Sequence, residues 1–224
     1  MAQDAVALAV TGATAAFDGR RVLHAIDLAV REGECVAVLG RSGAGKSTLL
    51  HLLFAEKRDE IAFVPQAASL VQTLSVFHNV YAGRLDRHST VANLRTLVWP
   101  RPREVAQVRD VLARVGLAEQ IFQKAGSLSG GQQQRVSVAR ALYNGRPILI
   151  ADEPVSALDR IQGGAVLRVM KSRHPTSVLA LHDVHLAIEH ADRIVVLEDG
   201  RKTVDAPSHT LTARDLLMRF GEVA

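Results

Sequence analysis

Residues 34–48 read ECVAVLGRSGAGKST, and the fold turns on what that stretch becomes. A short, unbroken apolar run ending in glycine suits a strand buried on both faces, the kind found in a helix-covered parallel sheet. The next eight residues, GRSGAGKS from Gly40 to Ser47, match G-x-x-x-x-G-K-[ST], and the following KSTLLHLLFA reads as a helix starting near Lys46. Glycines at such a strand-to-helix turn let backbone N–H groups close around phosphate oxygens, and the helix end adds partial positive charge. Gly40, Arg41, Ser42, Gly43, Ala44, Gly45, Lys46, Ser47 and Thr48 are therefore the candidate phosphate-binding residues. In such a loop the lysine reaches the β- and γ-phosphates and the serine hydroxyl ligates Mg²⁺, which assigns those roles to Lys46 and Ser47.

Working outward, VALAVTGATAAF (6–17) and AIDLAV (25–30) read as two alternating strands about a turn at Asp18-Gly19. IAFV (61–64), ILIAD (148–152), SVLAL (177–181) and RIVVLE (193–198) are further short strands, with a helix from about Arg160 and a short one after SVLAL. Strands alternating with helices predict an α/β fold with a mostly parallel sheet. From Leu74 to Leu117 the strand pattern stops, and Val105, Val108, Leu112 and Val115 recur at helical spacing. One domain over 1–224 is expected, with 1–73 and 146–224 forming the core and a β lobe and 74–145 an inserted helical subdomain.

Composition sets the bounds. With 224 residues, 48% hydrophobic and 22% charged, the chain can bury a real core and does not read as disordered. The net charge of +4, from 27 basic and 23 acidic residues, is mild: a basic balance suits nucleic acid, nucleotides or an anionic membrane surface, but most such surpluses are only a solvated surface. The single cysteine, Cys35, lies inside an apolar run, so an internal disulfide and a cysteine-based zinc site are both excluded and a reducing compartment is expected. No apolar run approaches the roughly 18 residues that span a bilayer. The amino-terminal MAQDAVALAVTG has an acid and no base before its apolar stretch, unlike a secretion signal. A soluble, cytoplasmic protein is expected, with any membrane-spanning helices supplied by a partner.

Two more stretches carry chemistry. ILIADE (148–153) is an apolar strand ending in two acids. Beside a phosphate loop, Asp152 is placed to ligate Mg²⁺ and Glu153 to polarise an attacking water as general base. In SLSGGQQQR (127–135), Ser129 and Gln132 form a capping box, so a helix starts there with its glycine-lined amides exposed. Running back toward the strand at Ile148, that helix directs its amino end to the same sheet edge as the phosphate loop. The helical block displaces it sideways, and local chemistry leaves open whether the two phosphate-binding ends meet.

The set GRSGAGKST, FVPQ (63–66), LSGGQQQRVSVARAL, ILIADEP, SALD (156–159) and ALHD (180–183) resembles the ATP-binding cassette of ABC transporters, over about residues 6–206 and in the family's motif order. The resemblance implies a P-loop NTPase core, an inserted helical subdomain, and an ATPase using ATP and Mg²⁺. It also implies that two cassettes, as a homodimer or a pair, face head to tail on ATP. The signature Ser129, Gly130, Gly131 and Gln132 of one then closes over ATP held by the other. Phe17 falls where the family stacks an aromatic on adenine; Gln66 where a catalytic glutamine touches Mg²⁺ or water at the permease junction. Asp159 falls where a residue communicates across the dimer, and His182 where a histidine contacts the γ-phosphate.

ADEPVSALD, ALHDVHLAIEHADRIVVLEDGR and TLSVFHNVYAGRL are most similar to phosphonate-import cassettes. The implied partners are integral membrane permease subunits and a substrate-binding protein, without nucleic acid, at the inner face of the cell membrane. WPRPREV (99–105) lies in the block that borders the permease, and equally suits a solvated loop. Rival readings are a non-transport ABC ATPase, an export or lipid-related one, and a P-loop nucleotide kinase, which would leave LSGGQ unexplained. One departure is visible: Lys46 and Gln66 stand 20 positions apart (66 − 46), about half the family's usual interval. The missing stretch normally completes the amino-terminal antiparallel β lobe, which is therefore expected to be reduced.

Overall fold

The computed structural model describes residues 5–17 and 19–220. It opens with an antiparallel hairpin, β1 (Val6–Phe17) on β2 (Arg20–Arg31), turned at Gly19, whose φ of 76° suits glycine. Strand β2 alternates buried Leu23, Ile26, Leu28 and Val30 with more exposed neighbours, so one face packs inward. It begins five residues before the expected AIDLAV, because its first turn is polar and carries no alternation.

The chain then runs β3 (Cys35–Leu39), α1 (Lys46–Glu56), β4 (Ile61–Val64), α2 (Val76–Tyr81), α3 (Thr90–Val98), α4 (Pro102–Arg114) and α5 (Gly130–Asn144). It continues through β5 (Ile148–Asp152), α6 (Arg160–Arg173), β6 (Thr176–Ala180), α7 (Val184–His190), β7 (Arg193–Glu198), β8 (Arg201–Pro207) and α8 (Ala213–Phe220). The six-stranded sheet has the order β4-β5-β6-β3-β7-β8; β4 to β7 are parallel and β8 pairs antiparallel with β7. The antiparallel lobe is the β1–β2 hairpin alone, and a single 3-10 turn at Arg58–Glu60 links α1 to β4. None of the described helices is long and apolar enough to cross a membrane.

The unbroken apolar strands have a simple cause. In β3, Cys35, Ala37 and Leu39 face one core, shared with α2 and with α4 to α8, while Val36 and Val38 face a second core under α1 and the hairpin. Both faces are covered, so both parities must be apolar. Strand β8 and helix α8 were not anticipated. Half of β8 is exposed, since it is the sheet edge, and its polar RKTVDAP lacks a core pattern. The Asp199-Gly200 turn before it, at φ 45° and 73°, is the local hairpin signal that could have found it.

The hairpin is pinned to the sheet by two cations that donate to its backbone carbonyls, one of them held by carboxylates. Arg193 donates to the Ala29 carbonyl (3.0 Å), to Glu34 (3.1 Å) and to Asp205 (2.5 Å), and Lys202 donates to the Asp27 carbonyl (2.8 Å). Elsewhere, His174 closes the end of α6 at 2% exposure, with Nδ1 unpartnered. Burial, helped by Arg173, pushes its pKa down to about 4 from the ordinary 6.5. Because the folded value lies below the unfolded one, stability is full above pH 6.5 and falls as the pH drops toward 4. The loss should reach about 3 kcal/mol. Urea denaturation between pH 7 and pH 4.5 should show this slope, and His174→Asn should flatten it; an unchanged slope would place the acid sensitivity elsewhere.

Candidate active site

The loop after β3 is built by close approach. A Cβ on Gly40 would lie 2.4 Å from the Leu197 carbonyl oxygen of β7, and one on Gly45, at φ 98°, would lie 2.6 Å from Leu23 Cδ2 of β2. Glycine at these positions lets the turn sink between strand and hairpin and open its amides toward α1. Lys46 begins α1 and is 5% exposed; its Nζ donates to the carbonyls of Gly40 (2.8 Å) and Arg41 (3.2 Å). Burial lowers its pKa, while Glu153 and Asp152 act in the opposite direction, which places both carboxylates within electrostatic reach of the ammonium. Arg41, Ser42 and Gly43 are exposed, Ala44 is buried, and Ser47 and Thr48 are half-buried in the first turn of α1.

Parallel pairing delivers the acids to the same edge. Asp152 ends β5, is 2% exposed, and its Oδ1 is buried without a hydrogen-bond partner. Glu153 follows at φ 50°, a conformation costly for a residue with a side chain, and its N–H donates to the Ala180 carbonyl (3.0 Å). His182, just beyond β6, donates from Nε2 to Glu153 Oε1 at 2.5 Å, the direction an ionised carboxylate demands. Gln66 is exposed two residues beyond β4, at the same edge. Phe17 ends β1 opposite Arg20, and its side chain lies outside the described residues.

The signature residues are held apart from this group. Ser129 caps α5: its Oγ accepts from Gln132 N (3.3 Å), and Gln132 Oε1 accepts from Ser129 N (2.9 Å). A Cβ on Gly131 would lie 2.9 Å from the Ala157 carbonyl, so this helix start rests on the segment after β5, not on the phosphate loop of its own chain. Gly130, by contrast, faces open space. Asp159 caps α6, with Oδ1 accepting from Gln162 N (2.9 Å).

Several residues here were not anticipated. Gln134, buried in α5, donates from Nε2 to the Glu153 carbonyl (2.6 Å) and to Ser156 Oγ (3.1 Å), and its Oε1 accepts from Ala157 N (2.9 Å). Its signal was the helical spacing from Gly131, which puts both on one face. Arg140, two turns on, donates to the carbonyls of Ser69 (3.0 Å) and Ala68 (3.2 Å), just after Gln66. An open cleft of about 730 Å³ adjoins the phosphate loop; Arg20, Arg21, Arg41 and Arg219 line it together with Glu198 and Asp199, and Arg219 pairs with Glu198 (3.8 Å).

Asp152 Oδ1, a buried carboxylate oxygen without a protein donor, fits a divalent cation, and the hydroxyl of Ser47, in the first turn of α1, is of the chemistry that would complete such a site. Among the described residues no three His, Cys, Asp or Glu side chains cluster as a metal cage.

Known proteins resemble this arrangement. Residues 23–156 match the family described as "ABC transporter". The chain is 35% identical to the phosphonates import ATP-binding protein PhnC of Caulobacter vibrioides, over 96% of this chain and 93% of the relative. It is 37% identical to the PhnC of Anaeromyxobacter dehalogenans over 94% of this chain, and there it spans only 47% of the relative's length. A bacterial ABC transporter cassette solved as a dimer superposes with a TM-score of 0.78 at 27% identity, over 90% of this chain and 98% of that one.

The Gln134 bridge makes a prediction. Gln134→Ala strands the Ala157 N–H and frees the Glu153 carbonyl, and should cost about 1–3 kcal/mol of stability in urea denaturation. A variant as stable as the parent would mean that the bridge does not tie α5 to the strand-end acids.

Proposed function

The chain belongs to the ABC transporter family, and from that premise we propose that it is an importer's ATP-hydrolysing cassette, working as a head-to-tail dimer. The observation that carries this reading is the convergence, at one sheet edge, of Lys46, the unpartnered Asp152 oxygen and the Glu153–His182 pair.

In this reading the loop amides of Gly40–Lys46 hold the ATP phosphates, and Lys46 exchanges its two carbonyl acceptors for β- and γ-phosphate oxygens. Asp152, Ser47 and Gln66 hold magnesium, which when bound neutralises charge on the phosphates. Glu153 is fixed by the Ala180 carbonyl through its backbone and by His182 through Oε1, leaving Oε2 to take a proton. The water that loses this proton attacks the γ-phosphorus, the bond to the β–γ bridging oxygen breaks, and ADP and phosphate form. His182, itself 47% exposed, is poised between Glu153 and the γ-phosphate.

Gly130 supports the dimer. Among the described residues nothing lies within 4 Å of a Cβ built on it, whereas one on Gly131 would meet the Ala157 carbonyl at 2.9 Å. A bare, capped helix start with nothing of its own chain in front suits phosphate held by a second copy. Phe17 is assigned to stacking on adenine, and Asp159 and its segment to contact across the dimer. The PhnC relatives, named for phosphonates import, favour phosphonate or a related small solute as cargo. This chain is assigned to the inner face of the membrane, with integral membrane permease subunits and a substrate-binding protein as its partners.

Glu153→Gln tests the mechanism. It keeps shape and cannot accept the proton, so turnover should fall 10²–10⁴-fold, roughly the usual worth of a general base. Mg-ATP should still bind, and size-exclusion chromatography should show an ATP-dependent dimer that ADP does not produce. Hydrolysis at the parent rate would move the base to another residue, His182 first. Uptake of a labelled alkylphosphonate by vesicles holding the permease and this chain tests the cargo.

A further inference from the structure

The three glutamines of LSGGQQQR take three different partners. Gln132 closes the cap on Ser129, and Gln133 donates from Nε2 to the Leu128 carbonyl (3.1 Å). Only Gln134 is buried, at 7% exposure, and both ends of its amide bond to the backbone of one turn. Nε2 donates to the Glu153 carbonyl (2.6 Å), and Oε1 accepts from the Ala157 N–H (2.9 Å). The turn also closes on itself, since Ser156 donates to that carbonyl from its N–H (3.3 Å) and its Oγ (3.2 Å).

This turn begins at Glu153, whose φ of 50° is strained for a residue with a side chain. Such a conformation persists only where its surroundings over-determine it. The peptide plane before Glu153 is fixed by the bond from its N–H to the Ala180 carbonyl (3.0 Å), and the plane after it by Gln134. With both planes held, φ cannot relax, and the direction of the side chain from Cα is set. Freeing the second plane lets φ return toward ordinary negative values, and that rotation about N–Cα carries the carboxylate away from His182 Nε2. The buried amide thus acts on the orientation of one side chain, that of Glu153.

We propose that Gln134 is a positioning residue for hydrolysis, locking the Glu153 backbone from α5 so that the carboxylate stays aimed at the attacking water. This rests on the reading of Glu153 as the general base.

Gln134→Met keeps the length of the side chain and removes both hydrogen bonds. At a temperature where circular dichroism shows the variant folded, kcat should fall about 10²-fold, the usual effect of a small misplacement at a reacting centre. Affinity for Mg-ATP in equilibrium dialysis should match the parent, because Lys46, Asp152 and the loop amides are untouched. The deciding measurement is single-turnover hydrolysis in a Glu153→Gln background. No carboxylate is left there to aim, so adding Gln134→Met should not slow the reaction further. Equal slowing in both backgrounds is what a purely structural role produces, and it overturns the proposal. So does a parental kcat in Gln134→Met, or a loss confined to ATP affinity. None of these results touches the assignment of the base. Glu153→Gln turning over at the parent rate would remove that assignment, and the role of Gln134 with it.

Discussion

The N–H of Glu153 donates to the Ala180 carbonyl at 3.0 Å, carrying the β5–β6 ladder one residue past Asp152, and the chain then turns at φ 50°. The site depends on that bond. It leaves Asp152 pointing from a fully buried strand end while swinging the Glu153 side chain toward His182, itself just past the neighbouring strand. Since β3 lies on the other side of β6, the phosphate loop leaves the sheet at the same edge. Three strand ends thus bring a cation, two carboxylates and a histidine together, and a conformation costly for a side chain is held by the ladder that surrounds it.

Helix α5 is the second organising element. Gln134 ties it to the Glu153 carbonyl and to Ala157, and Arg140 ties it to the backbone after Gln66. One rigid helix therefore touches both segments that leave β4 and β5. Its amino end packs Gly131 against Ala157 and leaves Gly130 open. The amino end of α5 and the Glu153 backbone are thus joined through one helix, because Gln134 lies in the second turn after Gly130.

Much of this was legible because it is local. The glycines and lysine of residues 40–47, the strand-end acids 152–153 and the Ser129–Gln132 cap act within a few residues of one another, and periodicity alone separates the buried strands from the helical block. The short Lys46–Gln66 interval also foretold a lobe reduced to one hairpin. What stayed hidden is tertiary. Gln134 meets partners 19 to 23 positions away, and Arg219 joins Arg20 and Arg21 in one cleft only once α8 has docked. The polarity of α3 is the clearest case: only packing reveals that Thr96 is buried while Val91, Leu94 and Val98 are exposed.

Mixing two inactive variants tests most directly whether the phosphate loop and the signature helix of one chain serve different ATP molecules. Lys46→Ala should lose the phosphate contact, and Gly130→Asp should place bulk and like charge against the facing γ-phosphate. A mixed dimer has one site in which both elements are intact. Equal amounts of the two should therefore recover hydrolysis to roughly a quarter of the parent rate, one competent site in half of the dimers. No recovery on mixing, with both chains folded, would mean that both elements act on one nucleotide within one chain.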